Sequence, residues 1–270
     1  YDLAVPAAEK RLQAAIKANA VFERVKWASF LATLHGGLLR RDLAIKVLDR
    51  EIDETTKNAE LKGVLAELLQ RKLTTLLTDM YFEEIYTEAQ LEEAIACLDR
   101  LMKTPGGTPS MKFGAFDRLA RTCNESGFPK LAAKVLDAAS TWVAGLGNDP
   151  HKSGWHLAVE LQRARTYQGL GEWRRAIQVA SGIADHPDVD RAAVGKVLGE
   201  CGEKAEDWTS AAIGYNLVIK TIAKESIKER KHWQRLLDRA TSKLRGSQTG
   251  APSGGMDASG SPRLGLDEED

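Results

Sequence analysis

The sequence is poor in the features that make disulfide frameworks, membrane spans and sheets. Three cysteines, Cys97, Cys123 and Cys201, stand among 270 residues. No two are close in sequence, and an odd, sparse set builds no disulfide framework. Each lies in a helical pattern and reads as a small buried hydrophobe, compatible with a reducing compartment. Neither sign of charge is in excess, since Lys plus Arg and Asp plus Glu both number 38. That balance argues against a general phosphate-backbone binder, which needs a basic excess or stripe. No uninterrupted apolar run reaches transmembrane length. Alternating Val/Ile/Thr segments between Asn-Gly or Asp-Gly turns are missing as well, so strands are not expected. The apolar share of 43% is that of an ordinary globular protein, and the length suits one large domain or two modest ones. A cytoplasmic location is the expectation. The chain starts at Tyr1 rather than Met, which leaves a preceding targeting segment open.

Ala, Leu, Glu, Lys and Arg dominate, and these favour helix. The spacing predicts a short edge helix from Ala7 to Ala20, placing residues 1–20 outside the main domain. Val21 to Leu39 follows with Val25, Phe30, Leu31 and Leu34 inward. Arg41 to Ile52 returns on Leu43, Ala44, Val47 and Leu48. Thr55 to Tyr86 is a long apolar pattern, with a break or kink expected near Gly63. Glu88 to Met102 is the next helix, and Thr104 to Ser110 is a Pro/Gly loop. Met111 to Glu125 and Pro129 to Val143 form a pair. A second pair is centred on Trp155 and Trp173, and a third covers Val189 to Glu203 and Trp208 to Ile222. Glu225 to Arg245 is a charged final helix. From Gly246 to Asp270 the composition turns to Gly, Ser, Pro and acid, with too little apolar material to offset ordering entropy, so a disordered acidic tail is expected there.

The second helices share a signature. Residues 43–49, 93–99 and 131–137 read LAIKVLD, EAIACLD and LAAKVLD. Their alanines Ala44, Ala94 and Ala132 are continued by Ala176 and Ala211, at steps of 50, 38, 44 and 35 residues. Four positions on come Leu48, Leu98, Leu136, Ala180 and Tyr215. A small residue recurs where two helices must approach closely, which is the physical mark of stacked helical pairs.

Within this series Ala164, Tyr167, Gly171, Trp173 and Ala176, followed by Pro187, stand in the order and spacing of a known motif. The chain resembles the tetratricopeptide repeat family, most closely over about 110–220 and loosely over 21–103. In the following unit Gly199, Trp208, Ala211 and Tyr215 match, while Gly202 and Glu206 replace the family's Tyr and Gly. In the preceding unit Ala120, Gly127 and Ala132 match and Cys123 takes the aromatic position. The resemblance implies an all-α fold: a right-handed α-solenoid of stacked antiparallel helical hairpins over 21–245, closed by a C-terminal capping helix.

A search for chemistry finds no constellation. Of the histidines His35, His151, His156, His186 and His232, none lies in a His-Glu-x-x-His context, and each reads as a surface or turn residue. Gly169-Leu-Gly171 begins like a dinucleotide fingerprint but lacks its third glycine and follows a helix. Phosphate loops and nucleophile elbows are absent, and acid pairs such as Glu83-Glu84 read as solvated surface. No cofactor, metal or catalytic residue is therefore expected. Trp173 and Trp208 read as packing residues.

The expected activity is binding. The resemblance implies that first helices line a concave groove, which assigns groove positions to Asp117, Arg121, Asn124, Glu125, Arg165, Gln168, Lys196, Glu200, Glu203 and Lys204. Arg121 and Arg165 are the candidate carboxylate clamp, by paired N–H donors. The final helix, rich in Lys and Arg, reads as a cap docked by Ile227, Trp233, Leu236, Leu237 and Leu244, with a basic patch as the alternative. The leading expectation is a non-catalytic scaffold or adaptor that presents the groove to a peptide or helix of a partner protein. The alternatives are an RNA-binding α-solenoid, against which the zero net charge counts, and a structural subunit of a complex whose chemistry lies on another chain.

Overall fold

A computed structural model describes residues 1–57, 62–78, 86–223 and 226–249, with side chains at 62–63 and 247–249 left aside. The described residues form twelve α-helices and no strand. They are α1 (Val5–Lys17), α2 (Val21–Gly37), α3 (Arg41–Thr56), α4 (Lys62–Leu76), α5 (Glu88–Lys103), α6 (Pro109–Glu125), α7 (Pro129–Ala144), α8 (Lys152–Gly169), α9 (Trp173–Ile183), α10 (Arg191–Lys204), α11 (Trp208–Thr221) and α12 (Ile227–Thr249). Each helix packs on the next in sequence. In addition α2 touches α4, α4 touches α6, α6 touches α8 and α8 touches α10. Even-numbered helices thus follow one another along the molecule, which is how a helical repeat spreads one core over many short elements.

Local sequence explains most helix ends. Thr87 caps α5 in a reciprocal box, its N–H donating to Gln90 Oε1 at 2.9 Å while Gln90 N donates to Thr87 Oγ1 at 3.4 Å. Thr108, Asp190 and Asp207 cap α6, α10 and α11 through side-chain oxygens. Pro109 and Pro129 sit in first turns, where a missing N–H costs nothing.

Among the described residues, five helix-to-helix turns carry a left-handed residue closed by the same backbone bond; the α1–α2 turn is one, with Asn19 at φ 51° and Ala20 N–H donating to Ala15 O at 2.9 Å, and the other four also share a side-chain register. Leu39, Gly127, Gly171 and Glu206 all have positive φ, at 60°, 81°, 75° and 58°. In each, the following N–H donates to the carbonyl five residues back, from Arg40 to His35, Phe128 to Cys123, Glu172 to Tyr167 and Asp207 to Gly202, at 2.8–2.9 Å. A buried small residue stands seven positions before the turn (Ala32, Ala120, Ala164, Gly199), and a fully buried alanine five after it (Ala44, Ala132, Ala176, Ala211). The α2–α3 pair therefore keeps the same register as the three C-terminal pairs. Ala94 does not follow such a turn; its helix starts at the Thr87 box.

The core divides into clusters. The largest runs from Val25 on α2 to Val159 on α8. A second joins α8, α9 and α10, a third α1 with α2, and a fourth α11 with α12. Trp173 and Trp208 sit half-buried at cluster edges as packing residues. The sharpest close approach lies between α10 and α11. A Cβ placed on Gly195 would stand 2.6 Å from the Gly214 carbonyl oxygen, and one on Gly202 would stand 2.5 Å from Ala211 N.

Several expectations need correction. Phe30 and Leu43 are 45% and 42% exposed, because the inward arcs of α2 and α3 are filled by Val25, Ala28, Leu31 and Leu34 and by Ala44, Leu48 and Ile52. Ile227 is exposed at the first residue of α12, where the inward arc is set by Trp233 and Ala240 instead. The long pattern over 55–86 is divided: α3 ends at Thr56 and α4 covers Lys62–Leu76. Residues 79–85, with Met80 and Ile85, lie outside the described residues. His35 is buried rather than at the surface, since it stands four residues before the Leu39 turn, the inward position held by Cys123, Tyr167 and Gly202 in the other pairs. Helix α12 continues to Thr249, past the expected tail boundary at Gly246; residues 250–270 lie outside the described residues.

Candidate protein-binding groove

The groove positions fall on α6, α8 and α10, the helices that touch in succession. Five of the ten, Asp117, Asn124, Gln168, Glu200 and Glu203, hydrogen-bond across to another helix. Asp117 accepts from Arg121 Nη2 at 2.6 Å, one turn along α6, and from Gln162 Nε2 of α8 at 3.3 Å. Asn124 Nδ2 donates to Thr166 Oγ1 at 3.0 Å, and the hydroxyl proton goes to the Gln162 carbonyl at 2.9 Å. Gln168 Nε2 donates to Glu200 Oε2 at 2.6 Å, joining α8 to α10. Glu203 pairs with Arg239 of α12, and Lys196 Nζ lies 5.7 Å from the Trp233 ring centroid. This wall is a polar ladder from α6 to α12.

Glu125, Arg165 and Lys204 have no hydrogen-bond or ion-pair partner among the described residues. The two arginines of the expected clamp thus differ. Arg121 is engaged by Asp117, whereas Arg165, half-buried on α8, keeps its donors available. Gln162 and Thr166 were not anticipated, yet at 5% and 1% exposure they are the buried rungs between helices. Their signal in the sequence is weak: two polar residues on the arc of α8 that carries Val159, opposite the arc of Leu157 and Ala164. Burying a polar group costs least when it is bonded, and the α6 partners bond Gln162 Nε2 and the Thr166 hydroxyl, while Gln162 Oε1 is buried without a partner among the described residues.

Elsewhere, Glu51 is 1% exposed and is held by Arg24 and by Arg50 at 3.0 Å. Lys72 bonds Asp49 at 2.8 Å and Glu93 at 3.1 Å, tying α4 to α3 and α5. Burial pulls its pKa down, but the two carboxylates outweigh burial and hold it above the ordinary lysine value. Burial pushes the Cys97 thiol up to about 11 and the Cys123 and Cys201 thiols up to about 12. A thiol held protonated is a poor nucleophile and a poor metal ligand. Among the described residues no group of three or more His, Cys, Asp or Glu side chains is placed to hold a metal ion. No described helix is long and apolar enough to cross a membrane.

No protein-family model matches the chain, and no curated protein is similar enough to count as a relative.

Proposed function

We propose that this protein is a non-catalytic scaffold or adaptor, and that the wall formed by α6, α8 and α10 receives a peptide or helix of a partner protein. The observation that carries this reading is the polar ladder. It pins successive helices through Asp117–Gln162, Asn124–Thr166 and Gln168–Glu200, so the surface is preformed and little ordering entropy is lost when a partner docks. Arg165, Glu125 and Lys204 are the side chains along it with hydrogen-bonding capacity to offer. In this reading the helices stack as antiparallel hairpins in a right-handed α-solenoid, similar to tetratricopeptide arrays. Helix α12 closes the end by docking Trp233 and Ala240 on α11.

Affinity capture from native lysate tests the reading, comparing the full chain with an Arg121→Glu/Arg165→Glu variant. The expected outcome is loss of the captured protein from the variant, because each reversal replaces a donor with a repelling acid. Losing the exposed Arg121–Asp117 pair and setting a like charge beside Asp117 together cost about 0.6–1 kcal/mol, so the melting temperature falls by about 4 °C or less. A protein retained equally by both forms, with that melting behaviour, removes the groove as the binding surface.

A further inference from the structure

Helix α12 carries more charge of one sign than a cap requires. Over Ile227–Thr249 seven Lys and Arg stand against Glu229 and Asp238, a net of +5. Two of the cations are used inside the fold. Arg230 donates to the Ile222 carbonyl at 3.1 Å, and Arg239 pairs with Glu203. Lys228, Lys231 and Arg235 are exposed and have no carboxylate partner among the described residues; Arg235 Nε only donates to the Lys231 carbonyl. With His232 they fall at i, i+3, i+4 and i+7, so they share one face, opposite the arc of Trp233 and Ala240 that docks on α11. Of the two acids on the helix, Glu229 follows Lys228 on the flank of this face, and Asp238, one turn beyond Arg235, accepts from Gln234 at 2.9 Å.

The counter-charge exists in the same chain. Residues 250–270 hold five acids against Arg263, a net of −4, and four of those acids are consecutive at Asp267, Glu268, Glu269 and Asp270. We infer that this acidic segment docks on the Lys228/Lys231/Arg235 face of its own molecule. Distance favours this occupant over another. From Thr249 back to Arg235 is 14 residues of helix, about 21 Å. For 17 residues of the composition of 250–266, rich in Gly and Ser, the mean end-to-end reach is about 23 Å. A tether whose mean reach matches the gap gives the highest effective concentration, which is what weak exposed ion pairs need. The segment then acts as a built-in polyanion that shields the basic face from other anions. The inference does not rest on the groove.

The test uses the full chain and two readouts. Carbodiimide coupling joins a lysine amine to a carboxylate with no spacer. With isotopically light and heavy copies mixed, the expected products join Lys228 or Lys231 to residues 267–270 within one copy. Absence of these products overturns the inference, as do products joining light to heavy copies, which would make a second copy the occupant. The second readout is binding to heparin, a polyanion probe, at low salt. Neutralising the segment (Asp267→Asn, Glu268→Gln, Glu269→Gln, Asp270→Asn) is expected to tighten heparin binding about tenfold. The gain should vanish at 1 M salt and in a Lys228→Gln/Lys231→Gln/Arg235→Gln background, all exposed substitutions. Unchanged heparin binding on neutralisation would mean the face stands open to external polyanions, and overturns the inference.

Discussion

Single residues in this protein are tuned mainly by burial. The three thiols show it most directly, because a thiolate in an apolar layer loses its hydration and gains nothing in return. With an ordinary value of 9.0 and about 12 in the fold, Cys123 and Cys201 hold about a thousandfold fewer thiolates at pH 8 than they would in an unfolded chain. Iodoacetamide at pH 8 should therefore label none of the three in the native protein and all of them in guanidinium. The same shifts set an alkaline limit. An acid whose native value is raised binds its proton more tightly when folded, so its stabilisation is complete below 9.0 and is lost as pH climbs from 9.0 towards 12. Lys72 acts in the same direction, since its raised value favours the native state until pH passes that value. Denaturant melts at pH 8 and pH 10.5 should show the higher pH to be the less stable, and equal midpoints would contradict the burial of these groups.

At the scale of the element, the informative positions are turns and close approaches. Glu206 occupies a left-handed backbone position that glycine holds in the Gly127 and Gly171 turns. Glu206→Gly relieves a Cβ clash of about 1 kcal/mol and should raise the melting temperature, whereas the same exchange inside a helix would lower it. The α10–α11 contact is the opposite case. An added Cβ on Gly214 would lie 2.5 Å from the Gly195 carbonyl oxygen, so Gly214→Ala forces the two helices apart and should cost about 3 kcal/mol. Gly114, in the middle of α6, has nothing within 4 Å of that position. Gly114→Ala should stabilise by about 0.5–1 kcal/mol, and chemical denaturation of the two variants separates close packing from helix propensity.

These elements also show what can be read without coordinates. The alanines Ala44, Ala132, Ala176 and Ala211 were legible because a fully buried small residue at a helix crossing has no substitute of similar size. The helix pairs around them followed. The turns before Ala44 and Ala211 were placed by the helical pattern, but their left-handed shape was not legible, because Leu39 and Glu206 carry none of the chemistry that marks a left-handed residue. Phe30 and Leu43 misled for a related reason: periodicity assigns an arc, and a large apolar residue about 100° off that arc still looks like core. Along the proposed groove wall, the outward polar positions were legible from their place between core residues. Their bonding was not, since Gln162 and Thr166 become rungs only once α6 lies beside α8.

Taken as a whole, the molecule has no single centre. Its apolar interior is one long cluster from α2 to α8 with smaller ones at either side, and no side chain is shared between the first and last helices. In such a chain stability is close to a sum of neighbour contacts, and the ends open at lower free energy than the middle. Native-state hydrogen exchange should show this order. Amides of α1 and α12 are expected to exchange through small openings, and those of α6 and α7 only near global unfolding. A single protection level throughout would mean the clusters unfold as one.

The repeated turn has a consequence of a different kind. Leu39, Gly127, Gly171 and Glu206 hold the same shape with backbone bonds alone, so the shape favours glycine by only about 1 kcal/mol and tolerates other letters there. The alanine five places later is the one strictly spelled character in each clause. A message with so little fixed text can be copied and rewritten until its wording shares nothing with its source, while the metre still scans.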